Sequence, residues 1–224
     1  QPQICPLTSF STAMTKILID GPYFEDFTVG QTFSAPSITL TTGHAAMYQA
    51  ITGDRMRLPL DHQLSRRVTG NDAPFAHPHL VVNVVNGQTT YPSQHVKGNL
   101  FYRGLILRRP VFIGDTLTTS TKSIGLKQNR PKPGRPATGM VALEMETSNQ
   151  HGEIVMQYWR CPMIPCRDPQ AETGHDADFS VIEEKIAPAD LAAAIPADWE
   201  LAPLVSTVTG LKPPRLETGD DVSI

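Results

Sequence analysis

The sequence is poor in cysteine, in net charge and in long apolar runs. Its three cysteines, Cys5, Cys161 and Cys166, are odd in number and lack the paired spacing of a zinc site, which argues against a disulfide framework or a metal site. A reducing, cytoplasmic setting is expected. A formal net charge of −3 gives no whole-molecule pull toward nucleic acid or an anionic membrane, so an anionic ligand has to be met by a local basic patch. No apolar stretch reaches the roughly 18 residues of a membrane span, and the opening Gln-Pro-Gln-Ile-Cys lacks the basic-then-apolar order of a signal peptide. A soluble protein follows as an expectation, and Gln1 in place of Met implies something upstream that was trimmed or not included. Neither a Walker loop nor Gly-x-Gly-x-x-Gly occurs, which leaves nucleotide hydrolysis and nicotinamide binding unsupported.

What is present suits one domain of 224 residues with an appendage: 40% of residues are hydrophobic and 18% charged. Residues 23 to 42 pass from an acidic, aromatic turn into a strand, with Thr42 as a helix cap. Residues 43 to 51 form a short helix that Gly53 ends. Between Asp54 and Pro78 the prolines and Gly70 predict a loop with one helical turn at most. In HPHLVVNVVNGQ, Leu80, Val81, Val84 and Val85 share one face at helical spacing, so this segment is predicted as a buried helix. Residues 95 to 109, 116 to 126, 138 to 149 and 154 to 164 are β-branched and aromatic, and predict four antiparallel strands joined by hairpins. The sum is an α+β domain in which a sheet wraps a central helix. Beyond Asp168, Ala, Pro, Asp and Glu predominate, as in a linker with one or two small helices.

Several segments resemble a known family. YFEDFTVGQ, a helix ending in AITGD, an apolar helix and RRPVFIGDTL look like the MaoC-like hot-dog acyl-CoA hydratases. VVNVVNGQTTYPS, GNLFYRGLILRRPVFIGDTLTTSTKSIGLKQN and ETSNQHGEIVMQYWRCPMIPCRDP are closest to the mesaconyl-CoA hydratase, or β-methylmalyl-CoA dehydratase, branch. The resemblance covers residues 21 to 169 and implies a hot-dog domain there. Residues 170 to 224 are then a linker or extension, and PPRLETGDDVSI resembles the opening of a second hot-dog half. It further implies a carbon–oxygen lyase that hydrates or dehydrates a short-chain, branched or dicarboxylic acyl-CoA without a cofactor or metal. A homodimer or a paired second hot-dog domain would be the partner.

Hydration of an enoyl thioester needs a base for water, an acid for the α-carbon and donors for charge on the thioester oxygen. The resemblance assigns these to the Asp and His of Gly-Asp-x-x-x-x-His and to an N–H at the start of the central helix. Gly53-Asp54 matches, which nominates Asp54 as base. Pro59 stands where the His is expected and His62 lies three positions beyond. At the helix entry, His77 matches but Pro78 replaces a glycine and has no N–H. His77 and His79 are the substitute acids. The alternative is a silent half that shapes an acyl-CoA tunnel for an active partner, with Asp54 a helix-end carboxylate bound to nearby N–H groups. For the phosphates of coenzyme A, Lys127, Arg130, Lys132 and Arg135 fall within nine residues holding no acid; a solvated hairpin tip is the plainer alternative. Arg55 and Arg57 are candidates for a substrate carboxylate and Asn86 for a further substrate contact. Asn99, Tyr102 and Arg103 are expected at a tunnel or interface.

Overall fold

In a computed structural model that describes residues 20–206, the β-rich stretches become a six-stranded antiparallel sheet. The strands are β1 (Thr32–Ser34), β2 (Ile38–Thr39), β3 (Gly98–Leu107), β4 (Thr116–Gln128), β5 (Thr138–Ser148) and β6 (Ile154–Pro165). Alternation is plainest in β4, where Leu117, Thr119, Thr121 and Ser123 are buried while Thr118, Ser120 and Lys122 are exposed, as a period of two demands. The Thr119 hydroxyl is tied down, with Oγ1 2.9 Å from Thr147 Oγ1 and donating to Gln88, whereas the buried Ser123 Oγ has no hydrogen-bond partner among the described residues.

The order along the sheet is β1-β4-β5-β6-β3, with β2 also on β4. This corrects one expectation, because β3 does not form a hairpin with β4; it pairs with β6 at the opposite edge. The connection from Arg108 to Asp115 contains Pro110 and is claimed elsewhere. Ala76 N donates to Val111 O and Phe75 bridges to Phe112, so the chain crosses the sheet end instead of turning back.

Among the described residues six α-helices accompany the sheet: α1 (Thr42–Thr52), α2 (Arg57–Leu60), α3 (His62–Thr69), α4 (Pro78–Gln88), α5 (Pro188–Ala193) and α6 (Ala202–Ser206). Helix α4 is the predicted central helix; it buries Leu80, Val81 and Val85, and the two valines share one core cluster with Val141, Leu143, Met145 and Tyr158 of the sheet. Each buried aliphatic side chain contributes about 1.5–3 kcal/mol. Helix α1 is capped by Thr41, one residue before the expected Thr42, and its Oγ1 accepts from His44 N. The supposed loop 54–78 holds α2 and α3. Asp61 caps α3 by accepting from the N–H groups of Gln63 and Leu64, and Leu64 and Val68 bury one face. This pairing of cap and amphipathic face decides for helix despite Pro59.

The segment after β6 is not loose. Arg103 donates to Phe179 O and Ile182 O and pairs with Glu184, while Trp199 and Leu204 pack beside Phe75, Leu58, Leu64 and Val68. Residues 170–206 therefore strap the outside of the sheet and return to α3. Cys5 and PPRLETGDDVSI lie outside the described residues. Among the described residues, no helix is long and apolar enough to cross a membrane.

Candidate active site

The site starts from two helix ends. Helix α1 stops at Gly53, whose φ of +61° is the left-handed conformation that favours glycine, and the chain reverses to present Asp54. Gln49 Nε2 donates to Asp54 O, which fixes that reversal. Helix α4 begins at Pro78, whose missing N–H is no loss in a first turn, and His77 is its cap. The His77 Nδ1 accepts the His79 N–H at 3.1 Å, so the neutral ring carries its proton on Nε2.

That Nε2 lies 3.0 Å from Asp54 Oδ1. The carboxylate sits off the line of the N–H bond, leaving Nε2 buried in close electrostatic contact and without an aligned hydrogen bond. Met56 N donates to the same Oδ1 at 2.8 Å. The backbone hydrogen bond from Met56, and after it the contact with His77, hold the Asp54 carboxyl below its ordinary value. The exposures differ sharply: the His77 side chain is 7% exposed and that of Asp54 is 32%. Water or substrate thus reaches Asp54, while His77 stands behind it. Tyr48 of α1 covers the other side of the His77 ring at 4.7 Å, and the exposed His79 ring is 5.6 Å from it.

Asp54, His77 and His79 are therefore brought together from positions 23 and 25 residues apart. The two alternatives weighed for Asp54, a carboxylate bound by local N–H groups and a reactive one, describe the same atoms. Tyr48 and Gln49 were missed; their only signal is their place on the last turns of α1, before the glycine that folds Asp54 back.

The remaining candidates lie elsewhere. Arg57 Nη1 donates to Leu204 O and anchors the strap, while Arg55 is exposed beside Asp54. Asn86 accepts from the Tyr158 hydroxyl at 2.8 Å and sits nine residues along α4 from His77, about 13 Å at 1.5 Å per residue. Lys127 is paired with Asp176 at 3.4 Å. Arg130, Lys132 and Arg135 line a cleft beyond the end of β4. The dyad lies instead beside residues 110–115, which precede β4, and a strand of 13 residues spans about 40 Å. Arg103 is taken up by the strap, and Tyr102 stacks near Tyr158 with nearly half its surface exposed at the β3 edge.

One buried cation was not anticipated. Arg160 is 5% exposed, has no carboxylate partner among the described residues, and donates to Thr89 O and Ser93 Oγ. Its charge rests at the C-terminal end of α4, where the helix dipole favours a cation. About 18 Å of helix separates it from His77, which removes it from the dyad's chemistry. Among the described residues no group of three or more His, Cys, Asp or Glu is arranged to hold a metal.

Comparison with known proteins bears on this geometry. Residues 8–203 match the family profile described as mesaconyl-CoA hydratase. The β-methylmalyl-CoA dehydratase of Chloroflexus aurantiacus is 37% identical over 153 residues, covering 67% of this chain and 42% of the relative. The mesaconyl-CoA hydratase of Cereibacter sphaeroides is 33% identical over 153 residues, covering 67% and 43%. Among solved structures, a conserved hypothetical protein of Mycobacterium tuberculosis, described as having a double hot-dog fold, superposes with a TM-score of 0.76 at 42% identity. The match covers 87% of this chain and 59% of that one. The chain thus spans less than half the length of the two curated relatives.

Proposed function

The chain belongs to the mesaconyl-CoA hydratase family, and from that premise we propose that it is a hydratase/dehydratase module for a short-chain, branched or dicarboxylic enoyl-CoA. The observation that carries this is the contact between Asp54 and His77, which couples an accessible carboxylate to a buried imidazole fixed by the start of α4. Asp54 takes a proton from water as its oxygen adds to the β-carbon. The α-carbon receives a proton from His79, which is exposed, while the enclosed His77 orients the base. Arg55, exposed beside Asp54, is the contact proposed for a second carboxylate on the acyl group. No cofactor enters the proposed reaction. A cytoplasmic setting is part of the same proposal; the buried thiols of Cys161 and Cys166 accord with it.

One observation favours a second reading, in which this half supports an active partner half. Pro78 offers no N–H, and the next N–H in the turn, that of His79, is already accepted by His77. Stabilisation of the thioester oxygen then has to come from outside this turn, as from a second hot-dog unit in a homodimer or a longer chain.

The test is hydration of mesaconyl-CoA and crotonyl-CoA, followed by loss of enoyl-thioester absorbance, with this chain, its Asp54→Ala variant and a longer natural form. Activity of this chain that disappears in the variant upholds the first reading. Activity of the longer form alone, unaffected by Asp54→Ala, establishes the second. No hydration by any form overturns both.

A further inference from the structure

A cavity of about 300 Å³ lies between the outer face of the sheet and the strap. Its floor carries Ile106 of β3, Ile124 of β4 and Trp159 of β6. Tyr158 and Arg160, on either side of Trp159, bond to Asn86 of α4 and to Thr89 O, so alternation turns Trp159 to the opposite face. Gly104 lets the indole come down onto β3: its φ is +61°, and a Cβ there would stand 2.6 Å from the ring. The roof is Val181, Ile182 and Ile186 of the strap.

The roof is held at both ends. Arg103 donates to Phe179 O at 3.1 Å and to Ile182 O at 2.8 Å, and pairs with Glu184 at 2.7 Å. At the other end Arg108 pairs with Asp190 at 3.3 Å. Residues 185–187 bridge these two anchors over the cavity. Two rim charges take no part in the anchoring. Glu183 and Lys185 both line the cavity and are exposed, and among the described residues neither is in an ion pair, with the other or with any third group.

An apolar cavity bordered by one unpaired cation and one unpaired acid matches a ligand with an apolar body and both charges. At about 30 Å³ for each water-sized group, the space holds about ten non-hydrogen atoms, the size of leucine. We propose that the cavity under the strap is a binding site for a free α-amino acid with an aliphatic side chain. The side chain lies among Ile106, Ile124, Ile186 and the Trp159 ring, the carboxylate meets Lys185 and the ammonium meets Glu183. A simple aliphatic acid would leave Glu183 facing its carboxylate, and a simple amine would leave Lys185 facing its ammonium. Because both charged contacts are on the strap and the side chain rests on the sheet, the ligand ties the two together. The site is separate from the Asp54–His77 dyad and does not rest on the hydratase proposal.

The experiment is isothermal titration calorimetry of the full chain with L-leucine, with isocaproate, which lacks the ammonium, and with isoamylamine, which lacks the carboxylate. Leucine is expected to bind and each of the other two to bind at least tenfold more weakly. Amide exchange in residues 181–187 is expected to slow when leucine is saturating. The combined Glu183→Gln and Lys185→Met variant, altered only at exposed positions, is expected to lose at least tenfold in affinity. Ile186→Trp, which fills the cavity, is expected to abolish binding. Failure of leucine to bind, or unchanged binding by the double variant, overturns the site. Isocaproate or isoamylamine binding as tightly as leucine overturns the ligand class. Turnover is not read, so a chain that binds leucine but hydrates nothing keeps this inference and loses the hydratase proposal, whereas the reverse result does the opposite.

Discussion

At the scale of single residues, His77 has two duties that substitution can separate. Its ring caps α4 through Nδ1 and faces Asp54 through Nε2. His77→Ala removes both, and loss of the cap is expected to lower stability by about 0.5–2 kcal/mol. His77→Asn supplies a good cap of its own, so melting experiments should show most of that stability restored. The contact with Asp54 is not restored, and the acidic limb of the kcat/KM profile should move up toward the ordinary carboxylate value in both variants. If Asn restores the profile as well as the stability, His77 is only a cap. For Asp54→Ala, loss of a general base predicts a fall of about 10²–10⁴ in kcat/KM. The sign of the pH effect on stability follows from the direction of the shift. The folded Asp54 carboxyl lies below its unfolded value, so its contribution is present above the unfolded value of about 3.9 and is lost as pH falls through the folded one. Asp54, His77 and His79 were each legible as polar residues at the expected motif or helix entry. Their contact was not, because it depends on a glycine turn and two unrecognised helices between them.

At the scale of elements, α4 and the four long strands were legible because burial on one face leaves a period in the sequence. Helix α3 was obscured by prolines nearby and by its short, highly polar HQLSRRVT, in which Leu64 and Val68 carry the buried face. The pairing of β3 with β6 was invisible for another reason: alternation fixes which face of a strand is apolar but not which neighbour it meets. Two glycines record how tightly these elements approach. A Cβ at Gly139 of β5 would stand 2.2 Å from the Phe24 ring, and one at Gly104 of β3, where φ is +61°, would stand 2.6 Å from the Trp159 ring. Overpacking of this kind usually costs about 1–3 kcal/mol. Gly139→Ala and Gly104→Ala should each lower the urea midpoint by a corresponding amount, the second with added backbone strain. Retention of the wild-type midpoint by Gly139→Ala would mean that the Phe24 ring has room to yield.

At the scale of the whole molecule, the strap and the uncovered faces make opposite demands. The strap's apolar residues, Ile182, Trp199 and Leu204, are too widely spaced to leave a periodic signal, so their docking could not be read from composition. Arg103 holds the strap by two backbone carbonyls. Hydrogen bonds from a charged donor are worth about 1.5–3 kcal/mol each when enclosed, and less here because Glu184, the third partner, is largely exposed. Arg103→Met should therefore raise amide hydrogen exchange in residues 179–186 while the central strands stay protected; uniform exchange would show the strap and sheet opening as one unit. Met47 and Ile51 of α1 and Leu100 and Tyr102 of β3 are each 45% to 77% exposed, on a helix with no buried residue and on an edge strand with an unpaired ladder. An edge strand with such side chains is a template for a second sheet, and a second hot-dog unit would cover it together with the accessible flank of α4. Light scattering should accordingly give about twice the chain mass, and Tyr102→Lys on β3 should reduce it to that of one chain without lowering the melting temperature by more than a few degrees. A monomer at micromolar concentration would mean that these faces await a unit other than a second copy. In that case the catalytic test has to be made with that unit present.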